Sequence, residues 1–423
     1  MMRRLFVLAV VVLVVGCSSR TTALQPPTYI SPQVVQKQPL PAPSWTWAYV
    51  KGHGDLGITA LASDGHDKMW FTENYADAIG SMDMGQRSAS YPVGFRPGGL
   101  TVGPDQNIWV TSIGSGASGQ DYVARVTPYG SVTTYTVSPV NNESFSIATG
   151  PDGALWFPEM KEEVGTPDLG RLTTNGAYSQ FPLSSDGWPT AIVAGPDGNL
   201  WIADGFNIEK VTTDGIVTVY RENSGQTVDI AVGSDGALWY PTFGGNNGNA
   251  LGRMTTEGAS ESFPTPNGIL LGNTGGHVIT NGPDGRLWMR TGQDLITFDP
   301  ATLTWGPLIG GFNKYGVSGI AVGPDENIWT GVGNRLATFV RLAMTVQPSR
   351  LTIPAPGQTG TLTVTETNYA KRWSATSTNP AVATVPSGGT RKPIVVTAVG
   401  VGSCTIVISD RFYNRVRIKV TVQ

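Results

Sequence analysis

Histidine occurs only three times in this 423-residue chain, at His53, His66 and His277, and cysteine only twice, at Cys17 and Cys404. Two cysteines cannot supply the set of bridges that staples small exported domains. Three histidines leave few ways to build an imidazole-rich metal centre. Charge is also thin: Lys, Arg, Asp and Glu are 14% of residues and the net charge is −3. No concentrated basic face exists for a phosphate backbone, which excludes nucleic acid as an expected partner. Long apolar runs are missing too. The run from Leu5 to Val15 has eleven residues, too short to cross a bilayer as a stable helix.

That run follows Arg3 and Arg4 and ends at Gly16-Cys17, the layout of an export signal. Leu13-Val14-Val15-Gly16-Cys17 resembles the lipobox of bacterial lipoproteins. The resemblance implies that Cys17 becomes the lipidated first residue of an envelope protein, with the lipid as its membrane contact. Ser18 after it favours the outer membrane if the cell is Gram-negative; an ordinary cleaved signal ending near a cysteine is the other reading. Residues 18–43 are polar and rich in Pro, Gln, Ser and Thr, a composition that cannot bury enough apolar surface to order itself. They read as a tether after a signal at 1–17.

Glycine and proline are plentiful, 54 and 30 residues, as suits an all-β protein with many turns. They recur in register. DGHDKMW ends at Trp70, GPDQNIW at Trp109, GPDGALW at Trp156, GPDGNLW at Trp201, GSDGALW at Trp239, GPDGRLW at Trp288 and GPDENIW at Trp329, 38 to 49 residues apart. That spacing is the length of a four-stranded propeller blade. In the fourth copy, strands are expected at Ala191 to Gly195, Leu200 to Asp204, Ile208 to Thr213 and Ile216 to Arg221, with Pro196-Asp197-Gly198 turning between the first two. The seventh copy runs short of a fourth strand after Arg335 to Leu342. Trp45 to Val50 alternates like a strand without a blade, and pairing the two would close the ring. Each repeated Trp is expected to pack between blades.

The fold class is therefore all-β: a seven-bladed β-propeller over residues 44–343. A small immunoglobulin-like β-sandwich over 344–423 is expected to follow, from short strands such as Thr361 to Thr365 and Cys404 to Ser409. Its Trp373-Ser374-Ala375, Asn379-Pro380-Ala381-Val382 and Val399-Gly400-Val401-Gly402 resemble the group 2 bacterial immunoglobulin-like domains. Cys404 reads as a small core residue of that unit.

Gly150 to Glu159 with Leu169-Gly170-Arg171-Leu172-Thr173, and Leu251-Gly252-Arg253-Met254-Thr255, resemble the virginiamycin B lyase (streptogramin lyase) family of seven-bladed propellers. The resemblance implies elimination across the ester of a cyclic peptide, with Mg²⁺ polarising the carbonyl side and a histidine removing the proton. His277, five residues before the turn glycine Gly282, matches a metal-ligand position of the family. Gly316, Ser318 and Val332 stand where the family has a ligand Glu, the base His and a further Glu. A base and carboxylate ligands are what that mechanism needs, so no residue is assigned a catalytic role. His66, in the first turn, and His53, in the loop before it, read as exposed loop residues.

Carboxylates recur three residues after the Trp: Glu73, Glu159 and Asp204. Strand direction puts the ends of second strands and the starts of first strands at one mouth of the ring, where these three and His277 are expected to gather. Two readings stand for them: solvated rim residues, or a site for a divalent cation or polar ligand. The function expected is an envelope-anchored binding platform for an unidentified envelope or cell-wall ligand, the alternative a diverged lyase-like enzyme acting on a cyclic peptide ester or related substrate.

Overall fold

The computed structural model describes residues 45–49 and 57–423, except 115–119, 139–141, 162–165, 184–186, 222–224, 246–247, 273–276, 311, 313–315, 334, 340–343, 367–372, 387–392 and 411–414. Cys17, the tether and His53 lie outside the described residues.

Seven antiparallel sheets correspond to the seven repeats. In blade four the strands are Pro189–Ala194, Leu200–Asp204, Asn207–Val211 and Val217–Arg221, within two residues of expectation at each end. Seven apolar clusters fill the seams. Each draws on two neighbouring blades, from Trp70 with Leu100 and Ile108 between blades one and two to Phe71 with Trp329 and Leu336 between one and seven. The ring closes through the strand Trp45–Tyr49, which pairs antiparallel with Arg335–Phe339 in the register Trp45↔Phe339 to Tyr49↔Arg335.

The repeat motif has a physical explanation beyond turn geometry. In blades two to seven the turn aspartate, four residues before the Trp, accepts a hydrogen bond from the indole Nε1 at 2.8 to 3.0 Å. The glycine six before the Trp lies flat against the same indole. A Cβ on Gly150 would sit 2.4 Å from Cδ1 of Trp156, and the other five repeat this contact at 2.2 to 2.5 Å. The Gly-Arg pair on the third strand completes the unit. Gly170 leaves room for Phe157, while Arg171 Nε donates to Asp152 at 2.8 Å and covers the Trp156 ring. Lys210 does the same for Asp197 in blade four. Burial disfavours charge on the Asp197 carboxyl, but Lys210, Trp201 and Asn199 outweigh it and hold the carboxyl down to about 2.

Blade one departs from this pattern. Asp64 replaces the glycine and His66 the aspartate, and Trp70, fully buried, has no acceptor for Nε1 among the described residues. A buried unpaired donor is destabilising. Replacing Asp64, His66 and Asp67 together by Gly, Asp and Gly, the residues of the other turns, is expected to raise stability by about 1 kcal/mol, the usual net worth of one hydrogen bond. The readout is a higher urea midpoint at constant m; no rise would show that turn one cannot take the shape of its siblings.

Residues after 343 form two four-stranded sheets. One orders Met344–Gln347, Thr359–Glu366, Ile394–Ala398 and Ala383–Thr384; the other orders Arg350–Ile353, Arg415–Val422, Gly402–Asp410 and Trp373–Ser377. Ile353, Leu362, Val396, Ile406 and Val420 share one core between them, and Cys404 is buried in it as a free thiol.

Candidate functional site

Side chains on a strand alternate between its two faces. On each second strand the Trp looks toward the following blade and the next residue toward the preceding one, as Trp70 and Phe71 show. A carboxylate three residues after the Trp therefore shares the face of Phe71, Phe157 or Ile202. It enters a seam, not the central funnel. Glu73 is fully buried and accepts a hydrogen bond from Ser90 Oγ on the fourth strand of its blade. Glu159, 2% exposed, accepts from Tyr178 Oη at 2.7 and 2.9 Å and from Gln180 Nε2 at 2.6 Å. Burial, and then Glu159, keep the Tyr178 phenol protonated well above its ordinary range. Asp204 is fully buried against Gly187, where a Cβ would fall 2.2 Å from Oδ1.

The expected gathering of Glu73, Glu159, Asp204 and His277 at a solvent-facing mouth is corrected accordingly: strand parity sends the acids into separate seams. Among the described residues no three His, Cys, Asp or Glu side chains are placed to hold a metal ion, so a divalent cation has no support at these four.

His277 has different company. Its side chain is 27% exposed, and Nδ1 lies 3.8 Å from Oδ1 of Asp229. Asp229, 1% exposed, stands in the innermost part of blade five. Its carboxylate accepts from the backbone N–H of Ile230 at 2.9 Å and, across the seam, from Val278 and Ile279 of blade six. Behind His277 lies Arg290, 2% exposed, with Nε donating to the His277 carbonyl at 3.1 Å and Nη1 3.5 Å from the Val317 carbonyl of blade seven. Burial alone would push the imidazole toward neutrality, but Asp229 outweighs it and holds the His277 pKa above its ordinary value. A connected polar array thus runs from blade five to blade seven.

Sequence reasoning missed Asp229 and Arg290, although Asp229 left a signal. Ten residues before each Trp stand Ala60, Gly99, Ser146, Ala191, Asp229, Val278 and Gly319, and only one of these is charged. Loop aromatics went unnoticed as well. Tyr75, Trp188 and Phe206 are 72%, 57% and 62% exposed, in loops at the mouth where second strands end. His66 sits where expected, exposed in its turn with Nδ1 2.8 Å from the Asp64 carbonyl oxygen.

A family model for the virginiamycin B lyase family matches residues 49–294. The chain belongs to that family. Virginiamycin B lyase of Nocardia farcinica is 28% identical over 172 residues, covering 40% of this chain and 55% of that protein. The Bordetella parapertussis lyase is 40% identical over 65 residues, 15% of this chain and 20% of its own. The chain thus spans about half the length of the Nocardia relative and a fifth of the Bordetella one. Among solved structures, a catalytically inactive histidine-to-alanine variant of virginiamycin B lyase from Staphylococcus aureus, with quinupristin, aligns at TM-score 0.60 and 24% identity, covering 70% of this chain and 98% of the lyase. The WD40 propeller domain of Doa1 aligns at 0.54 and 10%; at these identities the likeness is one of fold.

Against the virginiamycin B lyase pattern, the remaining positions can be placed. Val332 is 2% exposed and packs in the apolar seam with Trp288 and Ile328. Gly316 has φ +67°, a backbone shape that a glutamate would adopt only with strain. Ser318 opens the first strand of blade seven. None offers a carboxylate or imidazole, and the Asp229 carboxylate is committed to backbone N–H groups. The described residues do not fit the Mg²⁺ that the family resemblance implies.

Proposed function

We propose that this family member is a ligand-binding propeller whose mouth at His277 takes a peptide-type ligand without opening it. The observation that carries the reading is the contrast within one mouth. A partly exposed His277 is held by buried Asp229 and Arg290, while Gly316 and Ser318 stand where the resemblance implies the family's ligand Glu and base His, and Val332, where it implies a further Glu, is packed in an apolar seam. The exposed Tyr75, Trp188 and Phe206, in loops of blades one and four at the same mouth, offer further apolar contact area. Quinupristin, present in the Staphylococcus aureus lyase structure, is the natural first ligand to try. Calorimetry is expected to show quinupristin binding to the parent and about tenfold weaker binding to His277→Ala, the cost of losing roughly one charged hydrogen bond. Absent binding, or binding indifferent to His277, would sink the reading.

A second reading, a diverged virginiamycin B lyase-like enzyme acting on a cyclic peptide ester or a related substrate, is favoured by family membership and by the Asp229–His277 pair. Linearisation of quinupristin separates the two. We further propose that 344–423 is an immunoglobulin-like spacer, as its two sheets around one core suggest. Cys17 would anchor the protein in the cell envelope, where a cell-wall component is the alternative ligand class. Membrane fractionation of the Cys17→Ser protein decides the anchor: persistent membrane retention would refute it.

A further inference from the structure

Burying a charge is costly unless it is paired as well as hydrogen-bonded, and the backbone N–H groups on Asp229 supply hydrogen bonds but no opposite charge, so Asp229 calls for a reason beyond joining two blades. The joint itself needs no charge. At the equivalent position of blade three, Ser146 Oγ accepts from the backbone N–H of Ile192 at 3.2 Å across the seam between blades three and four. Asp229 makes the corresponding bond to Ile279 at 3.0 Å, and its other oxygen lies 3.8 Å from His277 Nδ1. The remaining five blades have Ala60, Gly99, Ala191, Val278 and Gly319 at this position. The charge is therefore an addition at the one seam that carries the only histidine on this mouth among the described residues.

We infer that Asp229 is a positioning residue for His277: its carboxylate keeps the imidazole turned so that Nδ1 faces the seam and Nε2 is the atom presented to the mouth. A carboxylate beside one ring nitrogen keeps the proton on that nitrogen, which fixes both tautomer and ring orientation. Arg290 supports the arrangement from below by holding the His277 carbonyl, so backbone and ring are fixed from different blades. That Nε2 meets a ligand rests on the function proposed above; the orientation of the ring does not.

The test is the tautomer of His277, read by long-range ¹H–¹⁵N NMR at a pH well above the ordinary histidine range, in the full-length parent, Asp229→Ser and Asp229→Asn proteins. The serine variant copies the Ser146 joint and should melt close to the parent. The asparagine variant keeps an acceptor oxygen for the backbone amides but can turn an NH₂ toward the ring. In the parent the proton is expected on Nδ1. In Asp229→Asn it should move to Nε2, and in Asp229→Ser the preference for Nδ1 should be lost. Quinupristin binding should weaken about tenfold in both variants, in the range of lost ligand-orienting contacts. A parent imidazole protonated on Nε2, or a tautomer unchanged in both variants, would overturn the assignment. A tautomer shift with undiminished quinupristin binding would uphold the assignment and refute the proposed ligand site instead. Loss of folding in Asp229→Ser with an unaltered tautomer in Asp229→Asn would reduce Asp229 to a blade joint.

Discussion

Deleting the strand Trp45–Tyr49 is expected to unfold the propeller as a whole, not merely to fray one blade. Its register with Arg335–Phe339 covers five residue pairs. At roughly 1 kcal/mol net per backbone hydrogen bond, the loss is about 5 kcal/mol, comparable with the ~5 to 15 kcal/mol that holds a typical domain. The strand also joins the two ends of the ring. Without it, Arg335–Phe339 becomes a bare edge and the chain before blade one is no longer tied to blade seven. The apolar seam of Ile58, Leu61 and Phe71 with Trp329 and Leu336 would then lose the strand pairing that ties the two blades together. Thermal unfolding followed by far-ultraviolet circular dichroism measures this. A truncated protein that melts cooperatively at the parent temperature would show that closure lies elsewhere.

A second large effect concerns chemistry. Elimination needs a group that accepts a proton, and removing a general base alone typically costs about 10² to 10⁴ in rate. Ser318, where the resemblance implies the family's base, is a hydroxyl, Gly316 has no side chain, and Val332 is packed among Trp288, Ile320 and Ala337. Quinupristin incubated with the protein should remain cyclic, with any ring opening lower by at least about 10² to 10⁴ than for an active lyase. Reversed-phase chromatography reads the outcome, because elimination linearises the ring without changing its mass. Linearisation at a rate near that of an active family member, lost in His277→Ala, would overturn this and establish the enzyme reading. Ser318→His alone is expected not to restore turnover, since no carboxylate would accompany it.

Much of the fold was legible because the blade unit is written in residues with few substitutes. Glycine six before the Trp, aspartate four before it and the Trp itself interlock at contact distance in blades two to seven, and the Trp at the same spacing after a turn marked blade one. The closing strand was legible from an alternating segment with no blade and a blade with too few strands. The site was less so. Counting along the chain put Glu73, Glu159 and Asp204 at the correct end of their strands, but position along a strand does not say which face a side chain takes. Parity decided that, and the acids went to Ser90, Tyr178 with Gln180, and Gly187. Asp229 was hidden for another reason: within Thr227-Val228-Asp229-Ile230-Ala231 it looks like one polar residue in an inner strand. Only comparison of the same position across all seven blades makes its charge stand out.

The two mouths of the ring each carry one described histidine, His66 among the turns and His277 at the opposite end, which allows a direct test of where ligand sits. With three histidines in the chain, their imidazole signals can be assigned by substitution and followed as quinupristin is added to ¹⁵N-labelled protein. The His277 signals are expected to move saturably, those of His66 to stay in place, and the ligand to be recovered cyclic. Movement of His66 with His277 unmoved, or recovery of linear ligand, would contradict it.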